Sequence, residues 1–288
     1  MLPSTFMSAA PQFTTAAYGM AATMAWGTSD FLGGYATRRA NAFLFTAVFN
    51  LGGLLLVGTL AVLTHPAFLS ERSALWVLAG GVCGSAAVAI FFRALSTGRM
   101  GLVAPLAAVI GAAIPAMFSI FTEGLPGIVP IVGFLFAATG LWLLTRSEDG
   151  TTPENIGLAI IAGIGFAAFY ICIRRAGGGS PLWFATLTRA GGFLVTGLIV
   201  LVQGNLREIT PSGIRWGVVA GGIDSVGTMM FVLSSQSGRL DEAVVISSLY
   251  PAVTVLLARL VLKEHFTRWR FVGLLAALVA VPMIAAQN

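Results

Sequence analysis

The sequence predicts an all-α integral membrane protein, with ten transmembrane helices arranged as two inverted five-helix repeats. Three observations carry this expectation. First, 57% of the 288 residues are hydrophobic and only 9% are charged, whereas an ordinary soluble domain is about 25% charged. Second, uncharged runs of bilayer length, about 20 residues as a helix, recur along the chain. Third, the chain repeats itself. Trp76 and Trp216, Gly81 and Gly221, Phe91 and Phe231, Gly98 and Gly238, and Arg99 and Arg239 are each 140 residues apart. Glu123 and Glu264 are 141 apart and Gly133 and Gly273 again 140, a slip that one inserted residue explains. An ordered series of this kind in a hydrophobic chain marks an internal duplication.

The spans are predicted at about 14–36, 42–64, 74–96, 100–121, 126–145, 156–175, 181–203, 213–236, 240–262 and 268–286. The breaks between them are polar or rich in turn-forming residues. Arg38-Arg39-Ala40-Asn41 closes the first span, and His65-Pro66 through Arg72 separates the second from the third. Ser96 to Arg99 and Glu123-Gly124-Leu125-Pro126 are tight turns. Arg146 to Asn155, with Glu148, Asp149 and Glu154, is the longest polar segment and lies near the midpoint. Gly177-Gly178-Gly179-Ser180-Pro181 leads into the seventh span, and Lys263 to Arg270 is the last charged loop. The chain therefore divides into a first repeat at 14–145, a linker at 146–155 and a second repeat at 156–286. Five is odd, so the second repeat starts on the opposite side of the membrane and is inverted relative to the first.

Several function classes are disfavoured by what the chain carries. The net charge of +5 is spread over helix ends with no basic cluster, so nucleic acid is not an expected partner. Cys83 and Cys172 both sit in apolar runs, which gives no disulfide framework and no thiolate metal site. His65 and His265 fall in loops without metal-ligand spacing, and no nucleotide-binding glycine loop is present. No metal, no cofactor and no catalytic residue is expected. The first thirteen residues lack Lys and Arg, so the basic start of a cleaved signal peptide is missing.

Three stretches resemble a known family. Trp26-Gly27-Thr28-Ser29-Asp30-Phe31-Leu32-Gly33-Gly34 resembles a common opening of EamA-domain proteins of the drug/metabolite transporter superfamily. Arg93-Ala94-Leu95-Ser96 with Val103-Ala104-Pro105-Leu106 resembles their junction between third and fourth helices. Ser247-Ser248-Leu249-Tyr250-Pro251, followed by Glu264 and Gly273, resembles their ninth and tenth helices. The resemblance covers nearly the whole chain. It implies two inverted five-helix repeats around a central cavity lined mainly by helices other than the fifth and tenth. It names no substrate, since members carry amino acids, drugs, sugar derivatives and other metabolites. The first half lacks the Tyr-Pro pair and has Ile110-Gly111 instead, so the cavity need not be symmetric.

Candidate site residues follow from the cost of charge in a bilayer. Asp30, Arg189 and Asp224 lie inside predicted spans. An ionisable residue there costs at least about 2.5–3.5 kcal/mol, so each should face protein or water. An Asp paired with Arg189 stays charged and holds helices together, whereas a carboxyl without a cation in low dielectric is suited to carrying a proton. The residue types leave both readings open. Trp26 precedes Asp30 by one helical turn and shares its face, which makes it the best aromatic candidate for a cavity. Trp183 and Tyr35 read as interface-belt residues. Tyr18, Tyr170 and Tyr250 are further aromatic candidates. Asp224 has Gly84 as its repeat equivalent, which suggests a packing position on the eighth helix. Pro105, Pro115 and Pro251 mark bends in the fourth and ninth helices and read either as moving gates or as static kinks. Glu123 and Glu264 occupy equivalent helix ends and read as caps or loop-pairing residues rather than substrate contacts.

The leading functional expectation is a secondary active or facilitative transporter in the cell (inner) membrane. It would export small metabolites such as amino acids by alternating access, coupled to protons or running downhill. Its partners would be a small-molecule substrate, protons where coupling exists, and the lipid bilayer, with the chain a monomer or homodimer. An integral membrane enzyme and a non-transporting membrane scaffold are the alternatives. Charge counting places Arg72, Arg174, Arg175 and Arg239 on the side of the termini. Arg38, Arg39, Arg99, Arg146, Arg207, Arg215, Lys263, Arg268 and Arg270 fall on the other side, which favours termini outside the cytoplasm.

Overall fold

The computed structural model describes residues 5–123, 128–145, 155–208, 210–237, 246–247, 249–264 and 267–285. Among them are ten α-helices and no strand. The first half holds α1 (Thr5–Ala36), α2 (Ala42–Thr64), α3 (Glu71–Thr97), α4 (Met100–Glu123) and α5 (Ile128–Thr145). The second holds α6 (Ile156–Ala176), α7 (Pro181–Gln203), α8 (Pro211–Ser237), α9 (Tyr250–Val261) and α10 (Arg268–Ala285). The linker reading for 146–155 lies almost wholly outside the described residues.

The helices start where the sequence supplies acceptors. The Asn41 side chain accepts the backbone N–H of Phe43 and Leu44 at the head of α2, and Ser180 accepts that of Trp183 at the head of α7. These bonds satisfy donors that a helix start leaves open. The head of α4 is capped from a distance. Glu264, in the α9–α10 loop, accepts the N–H of Met100 at 3.1 Å and of Gly101 at 3.2 Å. A carboxylate at a helix N-terminus also meets the positive end of the helix dipole, so the capping reading fits Glu264. The Glu123 side chain lies outside the described residues.

Packing between the halves is reciprocal. Helix α1 lies along α8 and α9, as α6 lies along α3 and α4. Helix α2 packs on α8 as α7 packs on α3, while α2 meets α7 and α5 meets α10. The closest approaches are set by glycine. A Cβ on Gly81 would run into the Thr188 backbone, and one on Gly221 would run into the Phe49 backbone. Without side chains the helices come near enough to gain dispersion contacts, which must replace the hydrophobic effect inside lipid. Phe45, Phe49, Phe91 and Phe92 fill the space beside these contacts and are almost wholly buried, with Phe92 edge-on to Phe45 and Phe49. Outward positions carry Leu55, Leu63, Leu194, Leu201 and Val202, all exposed. An apolar exterior around a core that holds polar side chains suits a lipid solvent.

Five helices, α2, α3, α6, α7 and α8, are by themselves long and apolar enough to cross a membrane. Helix α1 is not among them, although it is the longest at 32 residues. Its polarity has a physical reason: Thr15, Thr23, Ser29 and Asp30 are buried against other helices rather than offered to lipid. Thr23 donates to the Ile246 carbonyl at 2.8 Å, and Ser29 donates to the Ala220 carbonyl at 3.0 Å. The first span also begins earlier than expected, at Thr5 rather than near residue 14.

The span expected over 240–262, with Pro251 marking a bend, is described only in part and is interrupted at Leu249. Helix α9 starts at Tyr250 and carries Pro251 in its first turn, while residues 238–245 and 248 lie outside the described ones. Just ahead, Leu249 N–H bonds the Ile246 carbonyl at 3.2 Å and Ala252 N–H bonds the Leu249 carbonyl at 2.9 Å. One turn closes there and the next opens. Proline is the cause, since it has no N–H with which to continue a helix but fits a first turn without loss. Pro105 and Pro115, in contrast, lie inside α4 as expected.

Candidate functional site

The interior charges converge between α1, α2, α7 and α8. Arg189 on α7 is 5% exposed and pairs with Asp224 on α8. Its Nη2 donates to Asp224 Oδ2 and reaches Thr228 Oγ1 at 3.4 Å, and its Nη1 donates to Asn50 Oδ1 at 3.3 Å. Asn50 is itself held on both sides. Its amide donates to the Thr46 carbonyl at 2.9 Å, and its Oδ1 also accepts Ser85 Oγ at 3.1 Å. The guanidinium lies over the Phe49 ring, 5.0 Å from its centroid, a favourable place for a desolvated cation. Only Nε, among the guanidinium nitrogens, is buried without a partner among the described residues. This network lowers the cost of placing an arginine at depth, because the two terminal nitrogens both find oxygens and one of these belongs to a carboxylate.

Asp30 is different. It is 8% exposed and makes no hydrogen bond or ion pair among the described residues. It lies on α1 and lines a cavity together with Trp26, Tyr170, Tyr250, Arg189 and Asp224. Phe166 and Phe169 of α6 and Gly84, Ser85 and Val88 of α3 complete much of the wall, and Thr188 and Thr228 add hydroxyls. The cavity offers about 90 Å³ to the centres of water-sized molecules, where one water needs about 10–15 Å³. Trp26 stands edge-on to Tyr250 at 6.2 Å and tilts against Phe231 at 5.3 Å. Trp26 and Asp30 both reach the cavity, as a spacing of one helical turn requires.

All five candidate binding residues, Asp30, Trp26, Arg189, Asp224 and Tyr250, thus stand around one space. The sequence left open which aspartate meets Arg189, and the structure pairs it with Asp224. Asp224 is not confined to helix packing, since its carboxylate holds the guanidinium at the cavity wall. The three prolines are placed unequally: Pro251 adjoins the lining residue Tyr250, whereas Pro105 and Pro115 belong to α4, which adds no lining residue among the described ones. The belt candidate Trp183 donates its indole N–H to the Pro66 carbonyl at 3.1 Å and packs on Phe68, and Tyr35 stacks on Phe31 and is exposed.

Sequence reasoning missed Asn50, Ser85, Thr188, Thr228, Phe166 and Phe169. Asn50 left a usable signal, as an amide within the apolar run of α2. Thr228 lies one turn after Asp224 and so shares its face. Phe166 and Phe169 left none, since apolar aromatics in a membrane helix are indistinguishable from core or lipid-facing residues.

The lining is built from matching positions. Trp26 and Phe166, Asp30 and Tyr170, Gly84 and Asp224, and Val88 and Thr228 are each 140 apart and all line the cavity. Asn50 and Arg189, which bond one another, are 139 apart. The Gly-Gly pairs 52–53 and 191–192 follow the same 139 offset.

Comparison with known proteins gives a consistent fold. Residues 155–286 match the EamA-like transporter family. An uncharacterized protein of Methanocaldococcus jannaschii is 22% identical over 132 residues, which is 46% of this chain and 93% of that protein. Over nearly the full length, a protein known from a crystal structure is similar with a TM-score of 0.58 and 19% identity, covering 94% of this chain and 97% of that one.

Proposed function

Through its second half the chain belongs to the EamA-like transporter family, within the drug/metabolite transporter superfamily, and from that premise we propose alternating-access transport around the cavity at Asp30. A multi-pass membrane transporter of this type is what the family and the apolar helices establish. The finer reading is a ten-span bundle of two inverted repeats that exports small metabolites such as amino acids across the cell membrane, with the termini outside. Proton coupling at Asp30 distinguishes the active form of this reading from facilitated diffusion.

The observation that carries the proposal is the cavity itself. It lies between helices of both halves, its lining uses equivalent positions from each, and it holds a carboxylate that no other side chain among the described residues neutralises. A buried carboxylate without a partner is costly, and a carrier recovers that cost when a proton or substrate arrives. Reciprocal contacts between the halves support the inverted arrangement, because exchanging the halves returns the same helix pairs. Two related packings of one sequence are what alternating access needs. The break before Pro251 adds a place where α9 can bend beside the lining.

Purified protein in liposomes, tested for uptake of a broad metabolite panel with and without a pH gradient, checks the reading. Substrate-dependent flux is expected. Flux that responds to the gradient supports coupling, and flux that ignores it supports facilitated diffusion. No flux across the panel, with the protein folded and inserted, would favour a scaffold.

A further inference from the structure

We propose that the cavity selects organic monocations, namely amines that carry no free carboxylate, and that Asp30 is their counter-ion. The inference rests on the transport reading above and changes its substrate class, putting amines without an acid group in place of amino acids. It begins from charge. The lining contains Asp30, Asp224 and Arg189. Arg189 and Asp224 neutralise each other, and Asp30, at 8% exposure, is left with no ion-pair or hydrogen-bond partner among the described residues. With all three ionised the cavity carries one net negative charge. The duplication does not cancel it, because the position equivalent to Asp30 is the neutral Tyr170.

The surroundings of Asp30 favour an ammonium group over other cations. Trp26, Tyr170, Tyr250 and Phe166 share the lining, and ring faces attract a desolvated organic cation while accepting its apolar body. A small metal ion would need more oxygen ligands than one carboxylate beside aromatic rings supplies.

The same geometry disfavours a carboxylate on the substrate. Arg189 is the one cation in the lining among the described residues, and its terminal nitrogens already serve Asp224, Thr228 and Asn50. Its Nε has no partner among the described residues but is buried, which leaves it closed to an incoming group. A substrate carboxylate would have to displace Asp224 from Arg189, leaving a second aspartate without a cation beside the first. A zwitterionic amino acid would therefore satisfy Asp30 with its amine and pay that penalty with its acid group, whereas the corresponding amine would not.

Three compounds with one phenyl ring test this. Phenethylamine is a cation, phenylalanine a zwitterion and 3-phenylpropanoate an anion. Equilibrium dialysis of the detergent-purified protein is expected to show phenethylamine binding at least about tenfold tighter than phenylalanine, with no competition from 3-phenylpropanoate. Asp30→Asn should weaken phenethylamine by at least about tenfold, while Asp30→Glu keeps most of the affinity, both variants being checked for an unchanged melting temperature. The order of the three compounds on the unaltered protein stands as a test even if the Asn variant misfolds. Phenylalanine binding as tightly as phenethylamine, no binding of phenethylamine, or full amine affinity in a folded Asp30→Asn protein would each overturn the proposal. Liposome flux separates it from the transport reading. Phenylalanine flux without phenethylamine flux overturns charge selection and leaves transport standing. Phenethylamine binding in the expected order without any flux supports charge selection and counts against transport.

Discussion

The two halves of this protein share a backbone plan and differ in what they bring to the cavity. Helix α3 presents Gly84 and Val88 where α8 presents Asp224 and Thr228. Helix α2 presents Asn50 where α7 presents Arg189, and the two equivalent residues are bonded to each other. The exchange runs the other way between α1 and α6, where Asp30 faces Tyr170 across the same relation. Packing positions, in contrast, are kept: Gly81 and Gly221 each let a partner backbone close in. The difference teaches that duplication is preserved where backbones must approach, because only glycine fits there, and is released where side chains meet a cavity. One half then supplies an ion pair that is complete within the protein, and the other supplies a charge that is not.

The largest effect should come from breaking the completed pair. Asp224→Asn leaves Arg189 buried without its counter-ion and should cost about 3–5 kcal/mol of stability, seen as a marked loss of melting temperature in detergent. The double variant Arg189→Asn with Asp224→Gly gives the second half the first half's residues and should recover much of that loss, since no charge is then stranded. If the double variant melts no higher than the single one, the pair is not what holds these helices.

The glycine comparison comes next. Gly81→Ala and Gly221→Ala each force a methyl into a facing backbone, and each should destabilise by about 1–3 kcal/mol. Similar losses in both are expected from the shared plan. A loss confined to one would show that the halves are packed unequally.

Asp30→Asn separates the two kinds of charge. Asp30 has no partner to strand, so the melting temperature should hold while flux falls at least about tenfold, or about 1.4 kcal/mol in the barrier. Tyr170→Phe, at the equivalent position, should change flux far less. Lost stability in Asp30→Asn would assign Asp30 to structure. Unchanged flux would remove it from the mechanism.

The smallest effect belongs to the cap. Glu264→Ala removes the acceptor from the first N–H groups of α4 and should cost about 0.5–2 kcal/mol, with faster hydrogen exchange at Met100 and Gly101. Unchanged exchange there would show that the contact contributes nothing to holding the α9–α10 loop against α4.

Composition alone determined that the chain belongs in a membrane, because 9% charge cannot cover a soluble surface of this size. The periodic recurrence of Trp76 and Trp216, Gly81 and Gly221, and Arg99 and Arg239 was legible in the sequence and carries the duplication reading, since identity at a constant offset needs no coordinates. Insertion cost picked out Asp30, Arg189 and Asp224 for the same reason: a charge inside an apolar run stands out against its neighbours. Which aspartate meets Arg189 was a different kind of question. It depends on helix rotation and on which helices adjoin, and those follow from glycine contacts scattered over the whole chain. Only the tertiary structure could bring Asn50 to Arg189 from 139 residues away, place Phe166 in the wall, or leave Asp30 without a partner. Pairing is a property of distance in space, and an apolar span fixes depth along its axis while leaving its rotation to the neighbours that pack against it.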